Sequence, residues 1–209
     1  MNVALDSDYL WRGVSLSDGR PVASLGINFD HKSGVYGGLT LTAVDSRHEA
    51  PSFQGYVAYL GYAHRLEGGG SWELGVVNSE TSTYLNHKYS DNYTEIYAGL
   101  SRNDISAHIY YSPRNILDDA STLYGEVDGA IRPASGWRLF GHAGLLVSLS
   151  GHPPSGGERA RFDLRAGVAR EFKACELHLA VTTTTPRPVY PEYHLQPSSR
   201  VEAGVSVSF

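Results

Sequence analysis

Nowhere does this chain string together the roughly eighteen apolar residues that a membrane helix needs, so a helical membrane protein is excluded. Cysteine occurs once, at position 175, which rules out a disulfide framework and a cysteine-based metal site. Cys175 reads as a plain buried or lipid-facing thiol. Basic residues are outnumbered by acidic ones, 17 against 22, and the net charge of −5 argues against nucleic acid as a partner. Helical periodicity of useful length is almost absent. A basic and apolar leader is missing as well, because Met1 runs directly into a strand-like pattern. Either the protein stays in the cytosol or a signal peptide has been removed. The strand pattern favours the second, with residues 1–209 as one domain.

What the chain does contain is Gly (23), Tyr (14) and alternation of period two, broken by clusters of Gly, Pro, Asn, Asp and Ser. The last segment shows the alternation best. Val201, Ala203, Val205, Val207 and Phe209 are apolar, and Arg200, Glu202, Gly204, Ser206 and Ser208 fall between them. In a strand the two sets lie on opposite faces. Twelve such runs stand near 2–14, 20–31, 35–44, 53–66, 71–82, 93–102, 105–112, 121–132, 137–149, 159–172, 175–185 and 200–209. Most are about 9–13 residues long, which suits a tilted membrane strand better than a soluble one.

From the second strand on, the connections alternate in length. His31–Gly34, Leu66–Gly70, Asn103–Asp104, Pro133–Gly136 and Lys173–Ala174 are tight. Between them lie the longer Asp45–Ser52, Tyr84–Asn92, Pro113–Ala120, Ser150–Glu158 and Pro186–Ser199. The expected fold class is therefore all-β: a transmembrane antiparallel up-and-down β-barrel of about 12 strands. The first connection, read as Ser15–Gly19, should be long and is short.

Periodicity does not say which face looks inward. Twelve strands enclose more volume than lumen-facing Gly, Ser and Thr fill as an oily core. The polar face also carries many charges, of which Asp8, Arg12, Glu73, Glu95, Glu126, Asp128, Arg132, Arg138, Arg161, Arg165, Arg200 and Glu202 are assigned to the pore lining. Tyr9, Trp11, Phe29, Tyr59, Trp72, Tyr111, Trp137, Phe162, Phe172 and Phe209 sit mostly near strand ends on the apolar face, where interfacial girdles belong. Tyr9, Trp11, Trp72, Trp137, Phe162 and Phe209 are the chosen lipid-interface residues. A soluble barrel with core aromatics is the alternative.

Ser7-Asp8-Tyr9, Arg12-Gly13-Val14-Ser15, Ser17 and Pro21 together resemble the opening of the TorF family of outer-membrane porin-like proteins, a group long without known function. Gly34-Val35-Tyr36-Gly37-Gly38 resembles that family's next strand, although Leu39 or Thr40 stands where the family has an aromatic. Phe209, after its alternating apolar residues, resembles the signal read by the barrel-assembly machinery. The resemblance implies a small porin-like barrel in the lipid of the bacterial outer membrane, with no established substrate.

Asp8 and Arg12, four apart on the first strand, are placed to meet in the lumen, either as a constriction or as an ion pair in the wall. Glu73, Glu95, Glu126 and Asp128 fall on the fifth to eighth strands; Arg132, Arg138, Arg161, Arg165 and Arg200 fall on the eighth to twelfth. An acidic wall facing a basic one sets a transverse field across a narrow pore, unless the two neutralise each other and plug it. No histidine pair has the close spacing of a structural zinc site. His108, His142 and His178 lie on separated strands, and His48, His87, His152 and His194 lie in loops. Ser106 with His108, and His142 with Ser148, share faces as a hydrolase needs. They sit in no recognised motif, and no enzyme, metal or cofactor is expected. The loop Thr185–Ser199 holds Pro186, Pro188, Pro191 and Pro197 with Tyr190 and Tyr193, as a stiffened lid or a contact for an external partner. The expected function is passive diffusion of small polar or charged solutes. The alternative is a closed barrel whose loops bind a partner.

Overall fold

Alternating side chains can serve two solvents at once if the sheet closes on itself, with lipid outside and water inside. That is the architecture of this protein in a computed structural model, which describes residues 1–45, 50–82, 90–114, 120–150, 159–185, 188–189, 194–195 and 198–209. The wall is a closed ring of twelve antiparallel strands. They are β1 (Asn2–Asp6), β4 (Val22–Asp30), β5 (Val35–Val44), β6 (Ser52–Arg65), β7 (Gly70–Ser82), β8 (Ser90–Arg102), β9 (Ile105–Ser112), β10 (Thr122–Ala134), β11 (Trp137–Ser148), β12 (Ala160–Phe172), β13 (Cys175–Thr184) and β16 (Ser199–Ser208). Two short hairpins stand apart from it: β2 (Leu10–Trp11) with β3 (Val14–Ser15), and β14 (Pro188–Val189) with β15 (His194–Leu195).

Successive wall strands pair, and β1 closes the ring against β16, with Val3 opposite Val207 and Leu5 opposite Val205. Closure leaves no free edge. The register keeps apolar residues in rows around the outside, as in Leu139, Val168, Leu179 and Ala203 on four neighbouring strands. The outer face exposes Ile96, Leu100, Ile131 and Val201 by 60–67%, while Glu95 and Asp163 are buried on the inner one. This inverts the ordinary soluble pattern and settles the question of faces: the apolar side meets lipid. This is an outer-membrane barrel.

All five tight turns gather at one end. Gly34, Gly136 and Asn103 take positive φ there, a conformation that glycine and asparagine adopt at little cost. Phe29, Trp72, Trp137, Phe172 and Phe209 stand outward near this end, and Phe53, Tyr111 and Phe162 near the other. The two groups have the layout of interfacial girdles.

Two expectations are corrected. The first strand ends at Asp6, not near residue 14, and residues 7–21 form the connection to β4. The long-side loop that seemed too short is therefore long, but it folds inward. Tyr9, Trp11 and Tyr59 do not face lipid. Tyr59 points inward beside Asn28, and the other two belong to the inward segment. Pro186, Pro191, Pro197, Tyr190, Tyr193, His48, His87 and His152 lie outside the described residues.

A charge on the lipid side must be carried into hydrocarbon. Leu179→Arg, near mid-height on β13, is expected to lower unfolding stability by about 2–4 kcal/mol, and Leu179→Met to leave it nearly unchanged. Urea titration of vesicle-refolded protein measures both.

Candidate functional site

The functional centre is built from the segment that carries the opening motif. Arg12 and Gly13 form the two-residue tip between Trp11 and Val14, which face each other in the β2–β3 pair. Their φ values of 47° and 76° are both positive, as a type I′ hairpin requires. Glycine is needed at position 13 for space as well. A Cβ there would lie 2.7 Å from Cβ of Thr184 and 2.9 Å from Cβ of Asp163. Arginine in the left-handed region is strained, and its side chain offsets the strain. The two terminal guanidinium nitrogens donate to the two carboxylate oxygens of Glu95 at 3.0 and 2.7 Å. The guanidinium lies 3.9 Å from the centre of the Tyr124 ring and 4.5 Å from that of Trp11. Trp11 meets Tyr93 edge-on at 5.7 Å. The tip thus touches β12 and β13 with its backbone and β8 with its side chain, bridging the lumen.

Asp8 holds the base of the hairpin. Its Oδ1 accepts from the hydroxyls of Ser15 and Ser17 at 2.6 and 2.7 Å and from the Gly19 N–H at 3.2 Å. Its Oδ2 accepts from Arg200 at 3.2 Å. Gln54 Nε2 donates to the Leu16 carbonyl at 2.8 Å. The expected Asp8–Arg12 pair is not made, since each residue is engaged elsewhere. Tyr9 and Trp11 line the lumen, not the lipid interface.

The remaining charges of the inner face are paired locally rather than sorted onto two opposed walls. On the side read as basic, Arg138 donates to both oxygens of Glu176 at 2.6 and 2.7 Å, and Arg165 pairs with Glu202. Arg161 shares the inward face of β12 with Asp163 and Arg165. Arg132, at the turn end of β10, pairs at 2.6 Å with Asp104, which borders the lumen cavity, and both are more than half exposed. On the side read as acidic, Glu73 receives Nε2 of His108 at 2.8 Å and the Tyr36 hydroxyl. Glu126 receives the Tyr110 hydroxyl at 2.9 Å. His142 lies 2.8 Å from both Asp128 and Asp163, and His178 lies 3.4 Å from Asp6. Histidines on separated strands are thereby joined by carboxylates from their neighbours. Among the described residues of the inner face, carboxylates outnumber guanidinium groups.

A stripe of inward tyrosines escaped the sequence reading. Tyr97–Tyr110 and Tyr110–Tyr124 lie 5.5 and 6.1 Å apart, with Tyr36 and Tyr59 beyond them. Several of these rings cover a glycine of the adjoining strand: Tyr36 over Gly61, Tyr97 over Gly75, Tyr124 over Gly144. The joint excess of Gly and Tyr was the signal. Around and below the hairpin lies a cavity of about 860 Å³, reaching from Trp11 and Glu95 to Asn103 and Asp104 at the turn end.

Fold and lumen together define a closed twelve-stranded β-barrel with an apolar outer face and a partly hollow interior that carries charge. The chain belongs to the Gcw_chp family, bacterial proteins of unknown function, which matches over residues 1–185. Its fold is similar to that of the NanC porin, with a TM-score of 0.68 and 10% identity over 100% of this chain and 99% of that one. The KdgM porin is similar with a TM-score of 0.58 and 13% identity over 100% and 99%. Outer membrane phospholipase A from Escherichia coli is similar with a TM-score of 0.54 and 11% identity over 99% and 95%. No curated protein matches this chain in sequence.

Arg12 and Glu95 are 10% and 3% exposed, so removing one leaves the other as a buried, unpaired charge. Glu95→Gln is expected to cost about 3–5 kcal/mol, and Arg12→Met with Glu95→Gln to cost less than the sum of the two single changes. Denaturant titration of the four proteins of this cycle measures the coupling.

Proposed function

We propose that this barrel is a narrow diffusion channel for small polar solutes, with a preference for cations, constricted by the hairpin of residues 7–21. The observation that carries this reading is the cavity of about 860 Å³ between the hairpin and the turn end, bordered by Glu95, Glu126, Asp128 and Arg138. A solute crossing it meets hydroxyls, carboxylates and paired arginines, and the excess of carboxylate favours positive charge. Passage needs no cofactor and no chemistry from the protein. The fold shared with the NanC and KdgM porins supports the channel reading. KdgM has been crystallised with oligogalacturonate, a polyanion. The acidic balance of this lumen argues for a different cargo. Kinship with the TorF group, suggested by the 7–21 motif, is the finer family reading.

One observation favours the closed alternative, in which the loops bind a partner. The hairpin tip already touches both sides of the lumen, at Glu95 and at Asp163 and Thr184. Planar-bilayer recordings of refolded protein separate the two. The channel reading expects current steps, a reversal potential in a KCl gradient that favours K⁺, and larger steps for Arg12→Ala. Glu73→Gln with Glu126→Gln is expected to weaken the K⁺ preference. Silence from both the native protein and Arg12→Ala would favour the closed barrel.

A further inference from the structure

We propose that His108, Glu126 and Asp128 form a binding site for a divalent transition-metal ion on the inner wall, with Glu73 orienting the histidine. The inference rests on the wet lumen of the channel reading, but not on conduction itself. His108 on β9 stands directly opposite Glu126 on β10, and Asp128 follows two residues along the same face. One donor atom from each of the three lies within 4.8 Å of the others.

The hydrogen bonds around His108 say what the site lacks. Nε2 lies 2.8 Å from Oε1 of Glu73, and the other oxygen of that carboxylate accepts the Tyr36 hydroxyl. A carboxylate that accepts on both oxygens leaves Nε2 as the donor, so in the neutral ring the lone pair is on Nδ1. Nδ1 is buried and has no hydrogen-bond partner. It faces Oε1 of Glu126 at 3.7 Å, and that oxygen already accepts from Tyr110. Two electron-pair donors therefore face each other across a gap too wide for a hydrogen bond. A cation between them satisfies both.

The chemistry of the donors selects the ion. One imidazole and two carboxylates suit zinc and its first-row neighbours better than magnesium or calcium, which prefer oxygen alone. A metal-bound histidine whose far nitrogen donates to a carboxylate is the usual supporting arrangement, and Glu73 supplies it. Three protein ligands leave coordination positions for water. Glu126 and Asp128 both border the cavity, so an ion in the lumen can reach them.

Untagged, detergent-refolded protein titrated with zinc chloride by calorimetry tests the site, with the absorption of added cobalt as a second readout. Unboiled and boiled gel mobility verifies folding of each variant. One zinc ion per barrel is expected, not displaced by excess magnesium. His108→Ala, Glu126→Gln and Asp128→Asn should each weaken binding at least about tenfold, and Glu73→Gln about 10–100-fold. His31→Ala, at an exposed tight turn, should change nothing. Absence of saturable binding at one ion per barrel, or binding indifferent to the isosteric Glu126→Gln and Asp128→Asn in folded protein, overturns the proposal. Bilayer current without zinc binding overturns the site and leaves the channel standing. Zinc binding without current supports the site and overturns the channel.

Discussion

A peptide group in hydrocarbon has no water to turn to, and each unpaired N–H or C=O there costs several kcal/mol. In this protein the demand is met only because β1 and β16 find each other across the whole length of the chain. The rest follows from that contact. A closed sheet has an inside and an outside, so the period-two pattern must serve two solvents. Its apolar half is spent on lipid, which leaves the inside to polar side chains, and the barrel acquires a polar interior in place of an oily core.

That interior has its own constraint. Charges held a few ångströms apart in a confined space must be matched locally, because water there screens poorly. The inner wall accordingly carries a chain of contacts: Arg138 with Glu176, Arg165 with Glu202, His142 between two aspartates, and tyrosine hydroxyls on the remaining carboxylates. The hairpin enters this network instead of merely filling space. Arg12 is the counter-ion of Glu95, and Asp8 that of Arg200. The segment is thus anchored at its tip and its base by the same electrostatics that organises the wall. The aromatic stripe has a related logic, since glycine on one strand makes room for a tyrosine laid over it from the next.

The barrel was legible because its cause is local. Val201 to Phe209 alternate whatever surrounds them, and the tight turns announce themselves by Gly, Asn and Asp. The placing of Trp72, Trp137 and Phe162 on one face near strand ends followed from the same alternation. Residues 8–14 were misread for an equally physical reason. Asp8, Leu10, Arg12 and Val14 interleaved with Tyr9, Trp11 and Gly13 look like a continuing strand. What turns them inward is a positive φ at Arg12 and Gly13 and partners more than eighty residues away, neither of which an alternation pattern records. The opposed acidic and basic walls failed similarly. The arginines and acids were assigned to strands correctly, but Glu176 and the histidines were left out of the reckoning, and these are what neutralise the walls pair by pair.

By itself, then, the amino-acid order determined which side chains share a face and where the chain reverses, since both depend on neighbours one or two residues apart; that the apolar face looks outward to lipid was decided by the closed sheet. Which groups meet across the lumen was decided by the register accumulated around twelve strands. It brings Arg12 to Glu95 and Gly13 to Thr184, and it exists only once the ring has closed.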